Sequence, residues 1–457
     1  MNSTSLRIYH MLPGRMRSLA ASARGYQLLR LRYGPESEGL IEAALKREHW
    51  TAEQWQSWTF ARLSYVLDRA ATCVPYYREH WAERRRRGDS ASWERLENWP
   101  VLEKDALRAN SRAFVADDCD PRRMHREGTS GTSGTPLELW HSTKVTRAWY
   151  ALFEARCRLW YGVSRRSRWA ILGGQLVAAA AQQQPPFWVW NAPLRQLYLS
   201  VYHLSPELAR HHLDALARYR VEYLLGYPSA LEVLAEAALA AGRRISQKVV
   251  IANAEPLSAA QRELISAAFD CPVRETYGMS EMVAAAAECE RGTLHLWPES
   301  GYLETLEDGE LLATSLLDTD MPLIRYRTGD RCRMGSGVCA CGRTLPVLAS
   351  VEGRIDDVLI TRDGRRIGRL DPIFKSRLPI REAQIVQESL GEIRVVYVPA
   401  GGFDESSASE IVNLVRQRMG DVQVTLDAVA RIPRGPNGKF RAVVSKLGPE
   451  RLSTHAG

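Results

Sequence analysis

From about residue 165 the chain alternates short apolar runs with helix-length amphipathic stretches. This alternation restricts the fold more than any other feature. "RWAILGG", "VEYLLGY" and "KVVIANA" have the length and apolar content of buried strands. "SPELARHHLDALARY", "SALEVLAEAALAAG" and "SAAQRELISAAF" space their apolar residues by three and four, as helices do. Strand and helix in turn predict a parallel sheet with crossover helices. Ser205 and Ser258 suit N-caps, with Glu207 and Glu263 early in the helices that follow.

Residues 40 to 87 carry a helical pattern and predict a helical entry segment. From about 300 to 350 the pattern shortens to strands and turns. After "VEGRIDDV" the last hundred residues mix strands and helices compactly, which predicts a small separate unit. The expected fold class is α/β: a large N-terminal domain, 1–355, with parallel or mixed sheets and helices, and a small α+β C-terminal domain, 356–457. A length of 457 residues suits two or three structural units.

No run of about 18 apolar residues suggests a membrane span, and the N-terminus lacks the pattern of a signal peptide. Eight cysteines without export signals make the cytoplasm the expected compartment, where clustered cysteines point to metal. The formal charge of +8 is uneven: before Glu36 there are six arginines, Arg7, Arg15, Arg17, Arg24, Arg30 and Arg32, and no acid. "ERRRRGD" adds a second basic run. Two readings stand, solvated helix faces or contact with an anionic surface such as a membrane. No nucleic-acid motif accompanies the runs, so nucleic acid is not an expected partner. A homo-oligomer, in the simplest case a dimer, is the expected assembly.

"REGTSGTSGTPLEL" packs three glycines among hydroxyl side chains and closes on Pro136. It is neither a Walker loop nor a hydrolase elbow. Backbone N–H groups in such a turn converge on an anion, and the hydroxyls add donors, which suits phosphate. "ETYGMSE", "YRTGD", "VEGRIDDV" and "PRGPNGKFR" follow in order. With these five elements the sequence resembles the adenylate-forming superfamily of acyl-CoA synthetases and related ligases. It resembles the phenylacetate–CoA ligase family more closely. Within that family, "PPFWVWNAPLRQLYLSVYHLSPE" and "LLGYPSALEVLAEAA" look like the CapK-type branch, named for capsular polysaccharide gene clusters.

The resemblance implies ATP-dependent activation of a carboxylic acid as an acyl-adenylate, with ATP and Mg²⁺ as cofactors and coenzyme A as the expected acceptor. Thr129, Ser130, Gly131, Thr132, Ser133, Gly134 and Thr135 would hold the leaving phosphates. Glu281 would coordinate Mg²⁺, a hard ion that prefers oxygen. Tyr277 would stack on adenine, with Asn253, Ala254, Glu255 and Gly278 beside the base, and Ser280 near the α-phosphate. Asp330 would accept both ribose hydroxyls, and Arg354 would reach the ribose or phosphates. Asp356 matches the hinge about which the small domain rotates as a lid. Lys439 matches the late catalytic lysine that bridges the carboxylate and the α-phosphate.

"CERGTLH" and "VCACGRT" supply Cys289, His295, Cys339 and Cys341, a Cys₃His set that suits a closed tetrahedral zinc site; reduced thiols and a surface histidine are the alternative. Cys332 is a spare ligand candidate. Cys73, Cys119, Cys157 and Cys271 read as small buried apolar residues. The acyl pocket is expected around Trp169, Gly173, Gly174, Tyr227 and Pro228, with Trp188 and Trp190 on one strand face. The acid itself is open, and the alternative is an adenylyl- or acyl-transferring enzyme of capsular or envelope polysaccharide biosynthesis, with an amine, a hydroxyl or a sugar nucleotide as acceptor in place of coenzyme A.

Overall fold

The computed structural model describes residues 3–128, 137–179, 181–307, 309–352, 357–367, 370, 373, 378–430, 432 and 441–447. The chain opens with five helices: α1 (Ser3–Met11), α2 (Gly14–Arg32), α3 (Ser37–Arg47), α4 (Ala52–Cys73) and α5 (Pro75–Arg86). The helical entry segment is therefore broken twice. Thr51 caps α4 in a capping box with Gln54, and Pro75 at the first turn of α5 ends α4. α6 (Lys104–Ala109) leads to a hairpin of β1 (His125–Gly128) and β2 (Glu138–His141), followed by α7 (Thr143–Cys157).

The expected parallel sheet follows, enlarged by an unforeseen hairpin. β3 (Trp169–Gly173) is followed by β4 (Trp188–Asn191) and β5 (Gln196–Ser200), an antiparallel pair whose second strand lies parallel to β3. Next come α8 (Pro206–Tyr219), β6 (Tyr223–Gly226), α9 (Pro228–Ala240), β7 (Val249–Ala252), α10 (Ala259–Phe269) and β8 (Val273–Gly278). β5, β3, β6, β7 and β8 are mutually parallel in that order. Ser205 and Ser258 cap α8 and α10 as expected, and Ser258 forms a capping box with Gln261.

The same sheet continues in antiparallel strands: β9 (Ala285–Glu288), β10 (Leu294–Leu296), β11 (Gly301–Thr305), β12 (Glu310–Ser315), β13 (Tyr326–Met334) and β14 (Val347–Glu352). The spatial order from β8 is β9, β10, β14, β13, β12, β11. β8 and β13 thus stand four strands apart, about 19 Å in a flat sheet. Yet the Tyr277 hydroxyl of β8 reaches Asp330 of β13 at 2.9 Å. This half of the sheet is therefore rolled into a partial barrel, filled by Ala284, Ala286, Leu296, Leu311 and Leu348. Gly301 sits where the roll closes: a Cβ there would lie 2.0 Å from the Val283 carbonyl oxygen.

Beyond residue 357 the described residues form a hairpin of β15 (Leu359–Ile360) and β16 (Arg366–Ile367), then β17 (Ile380–Ser389), β18 (Glu392–Pro399), α11 (Glu405–Met419), β19 (Gln423–Ala428) and β20 (Val443–Ser445). These last four strands make their own sheet, ordered β19-β18-β17-β20. The hairpin packs on the large sheet's helices: Arg365 donates to the Tyr202 carbonyl, and Arg366 pairs with Glu236 at 3.2 Å.

Candidate functional site

In parallel sheets, ligands bind beyond the carboxyl ends of the strands. Gly173 ends β3, Tyr227 and Pro228 follow β6, Ala254 and Glu255 follow β7, and Tyr277 and Gly278 end β8. The topology thus brings these residues to one edge of the sheet. Ala254 adopts φ +64°, an uncommon conformation for a residue with a Cβ, of the kind that clusters at functional sites. The Glu255 carboxylate accepts the Ser229 N–H at 3.0 Å, one of the donors that the first turn of α9 leaves without a helical partner.

Trp169 falls outside this group. It begins β3, at the opposite edge, stacks on Tyr223 and donates Nε1–H to the Leu194 carbonyl at 2.9 Å. A residue at the amino end of a parallel strand faces away from the crevice, so Trp169 is core. Trp188 and Trp190 share a face as expected, but they pack against His212 and Tyr219. The aromatic residues beside Gly173 and Gly174 are tyrosines missed in the sequence. The Tyr198 hydroxyl accepts the Gln175 N–H at 3.2 Å, in space that a Cβ on Gly173 would occupy. The Tyr202 hydroxyl donates to the Gly174 carbonyl at 2.9 Å.

The rolled half supplies the opposite wall. Against β12, β13 spends five residues, Arg327 to Arg331, where its partner spends three, Glu310 to Leu312. The resulting bulge holds Asp330; such bulges re-aim side chains beside active sites. Burial, then the Asp330 charge, holds the Tyr277 phenol well above its usual pKa, so it is a hydrogen-bond donor. Glu281 accepts from the Tyr326 hydroxyl at 2.7 Å, and Ser280 donates to Glu127 of β1 at 3.2 Å. Lys104 donates to the Thr328 carbonyl at 2.6 Å and lies 5.7 Å from the Tyr326 ring centre. Glu127 adjoins the glycine loop in sequence. Thr129 to Thr135, Arg354, Asp356 and Lys439 lie outside the described residues.

One pair had no signal in the sequence. His141 Nδ1 is 2.9 Å from Asp318, and its Nε2 is 3.1 Å from the Ser280 carbonyl. Both partners accept only, so satisfying both requires a proton on each ring nitrogen. Burial alone would lower the imidazole pKa; the Asp318 hydrogen bond and charge outweigh it and raise the value. This buried ion pair holds the turn that carries Ser280 and Glu281.

Cys289, His295, Cys339 and Cys341 converge, their ligand atoms all within 4.8 Å of one another. Cys289 and Cys339 sulfurs are 3.7 Å apart, and Cys341 Sγ lies 3.4 Å from His295 Nε2. A zinc tetrahedron with bonds of about 2.3 Å to sulfur has S···S edges of about 3.75 Å, so the set fits zinc. His295 Nδ1–H donates to the Leu345 carbonyl at 3.1 Å, which leaves Nε2 as the ligating atom. Arg343 anchors the loop, with Glu48 at 3.1 Å and Glu290 at 2.8 Å. Cys332 is not in the set; it is buried inside the roll. Cys157 and Cys271 are buried as expected, whereas Cys73 and Cys119 are half-exposed.

Residues 359–446 match the CapK C-terminal domain family. The chain is 25% identical to Protein CapK of Staphylococcus aureus over 363 residues, 76% of this chain and 80% of that one. It is 30% identical to a phenylacetate-coenzyme A ligase of Thermus thermophilus over 186 residues, 36% of this chain and 41% of that one. The fold is similar to that of 2-hydroxyisobutyryl-CoA ligase solved with 2-HIB-AMP and CoA: TM-score 0.55, 21% identity, 88% of this chain and 92% of that one. No helix among the described residues is long and apolar enough to cross a membrane. In sequence the chain is thus similar to Protein CapK and to phenylacetate-coenzyme A ligases, and its fold is similar to that of a CoA ligase.

Proposed function

We propose that the chain is an ATP-dependent acid ligase that forms an acyl-adenylate and passes the acyl group to coenzyme A. The observation that carries this is the pairing of Asp330 with Tyr277, and of Glu281 with Tyr326, across the rolled sheet. A carboxylate oxygen of the acid attacks the α-phosphorus of ATP, and the bond to pyrophosphate breaks. The coenzyme A thiol, losing its proton, then attacks the acyl carbon and AMP leaves. Both reactants of the first step are anions, so the site must hold them in line and answer their charge.

Asp330 accepts the ribose hydroxyls, and its bond to Tyr277 orients both groups around the nucleoside. Tyr277 offers its ring to adenine, beside Ala254, Glu255 and Gly278. Glu281 is an oxygen donor suited to Mg²⁺, which neutralises phosphate charge when bound. Ser280 adjoins the α-phosphate, with the loop Thr129–Thr135 and Arg354 on the other phosphates. Lys439 bridges the two reacting groups. In this reading 1–355 binds the nucleotide and 356–457 is a lid that turns about Asp356. The acyl group lies near Gly173, Gly174, Tyr227 and Pro228. Zinc at Cys289, His295, Cys339 and Cys341 is structural, since four protein ligands leave no open position for substrate.

The C-terminal match to CapK favours a second reading, in which the acceptor is an envelope-polysaccharide hydroxyl, amine or sugar nucleotide. Pyrophosphate release across aryl and fatty acids, with and without coenzyme A, tests both. Release with thioester formation supports the first reading; release without coenzyme A consumption supports the second. No release with any acid, together with no ATP·Mg binding, would falsify both.

A further inference from the structure

The inner face of α2 is pinned to the edge strand β4. Buried Arg17 donates to the Val177 carbonyl at 3.1 Å, Ser22 donates to the Trp190 carbonyl at 3.3 Å, and Gly25 packs against Asn191. The outer face carries Met16, Leu19, Ala23 and Tyr26, spaced i, i+3, i+7 and i+10 along one stripe. Met16 is 48% exposed, Leu19 63% and Tyr26 52%; in α1, which precedes α2, Ile8 is 60% exposed and Met11 84%. Among the described residues, seven large hydrophobic side chains are at least 48% exposed, and five of them fall between Ile8 and Tyr26. That concentration marks an interaction surface rather than scattered surface apolar residues.

Charge selects the occupant. Arg7, Arg15, Arg24 and Arg30 are exposed around the patch, and no acid occurs before Glu36. Beside the carboxyl end of α2, an open pocket of about 550 Å³ is lined by Arg165, Arg166 and Arg195 against Leu29, Tyr33 and Pro193. Glu38 answers Arg165 and Arg166, at 2.7 and 3.1 Å. A second copy of the chain would set arginine against arginine. An anionic bilayer answers both parts of the face: its headgroups take the guanidinium groups, and its acyl boundary takes Met, Leu, Ile and Tyr side chains.

We propose that the outer face of α1 and α2 docks the protein on anionic lipid bilayers. The inference is independent of the adenylation chemistry, since these residues lie outside the nucleotide site. The 457-residue chain is floated with vesicles of phosphatidylcholine alone, or with three-tenths phosphatidylglycerol. Binding to the anionic vesicles only, weakened by salt, is expected. Replacing Arg15 and Arg24 by glutamine should lower partition about 30-fold, at about five-fold per arginine. Leu19→Glu should abolish flotation while the far-UV circular dichroism stays unchanged. Equal binding to both vesicles, or no flotation with either, overturns the proposal. So does a wild-type dimer in solution that Leu19→Glu converts to monomer, because the face would then belong to a second copy.

Discussion

The two polar clusters of the rolled half-sheet are built to opposite plans. In the cysteine–histidine set, four ligand atoms turn inward on one another, and Leu345 and Arg343 fix them from behind. In the cluster proposed to face the nucleotide, carboxylates accept from phenols across the roll, Asp330 from Tyr277 and Glu281 from Tyr326, at the edge where the parallel strands end. A donor set that completes itself suits a structural ion. A carboxylate has more acceptor positions than one phenol hydrogen bond fills, so such a cluster suits a ligand that brings its own donors.

The contrast breaks first at the metal. Cys339→Ser, or a strong chelator, should take zinc from one per chain to none by elemental analysis and cost more than about 4 kcal/mol of stability. A chain that purifies without zinc from zinc-replete medium, at full stability, contradicts the assignment. Next comes the buried pair. His141→Gln leaves the buried Asp318 charge without its cation, with only the Asp320 and Met321 N–H donors, and should cost about 3 to 5 kcal/mol in denaturant unfolding. Because the folded imidazole pKa is raised, the pair's contribution is complete below the unfolded value near 6.5 and is lost as pH rises through the folded value. His141→Gln should therefore narrow its deficit toward alkaline pH. A deficit constant with pH shows that the pair is not charged.

Lys439→Ala should leave the fold intact and slow acyl-adenylate formation by about 10² to 10³, read as pyrophosphate release. Near wild-type release rules out its role. The smallest effect is expected at Tyr277→Phe, which removes one hydrogen bond to a charged acceptor: ATP affinity should fall about ten-fold, with little change in stability. An unchanged affinity would show that Asp330 needs no help from the opposite wall.

Much of this could be read in the sequence because periodicity is local. "VEYLLGY" and "KVVIANA" became β6 and β7, and Ser258 caps α10. The β4–β5 hairpin was missed because β5 lies inside a stretch with no punctuating glycine. α2 was missed because arginines interrupt its apolar residues and its inner face is held by buried Arg17 and Gly25 rather than by large apolar side chains. The cysteine–histidine set was legible as spacing; its convergence depends on β10 pairing with both β9 and β14. His141 and Asp318 are 177 residues apart, and neither sits in a motif, so only the fold joins them. Trp169 was misplaced because strand direction was not weighed: five residues of β3 separate the crevice from the far edge.

Gly301 carries a consequence for the proposed nucleotide site, although it is none of its residues. Both walls of that site are parts of one continuous ribbon of hydrogen-bonded backbone, so their spacing is a property of curvature. A methyl group at position 301 would push on the Val283 carbonyl and uncurl the ribbon. The gap between Tyr277 and Asp330 would then widen with every local contact intact, and selectivity for the base and sugar would drift under a change made at the seam.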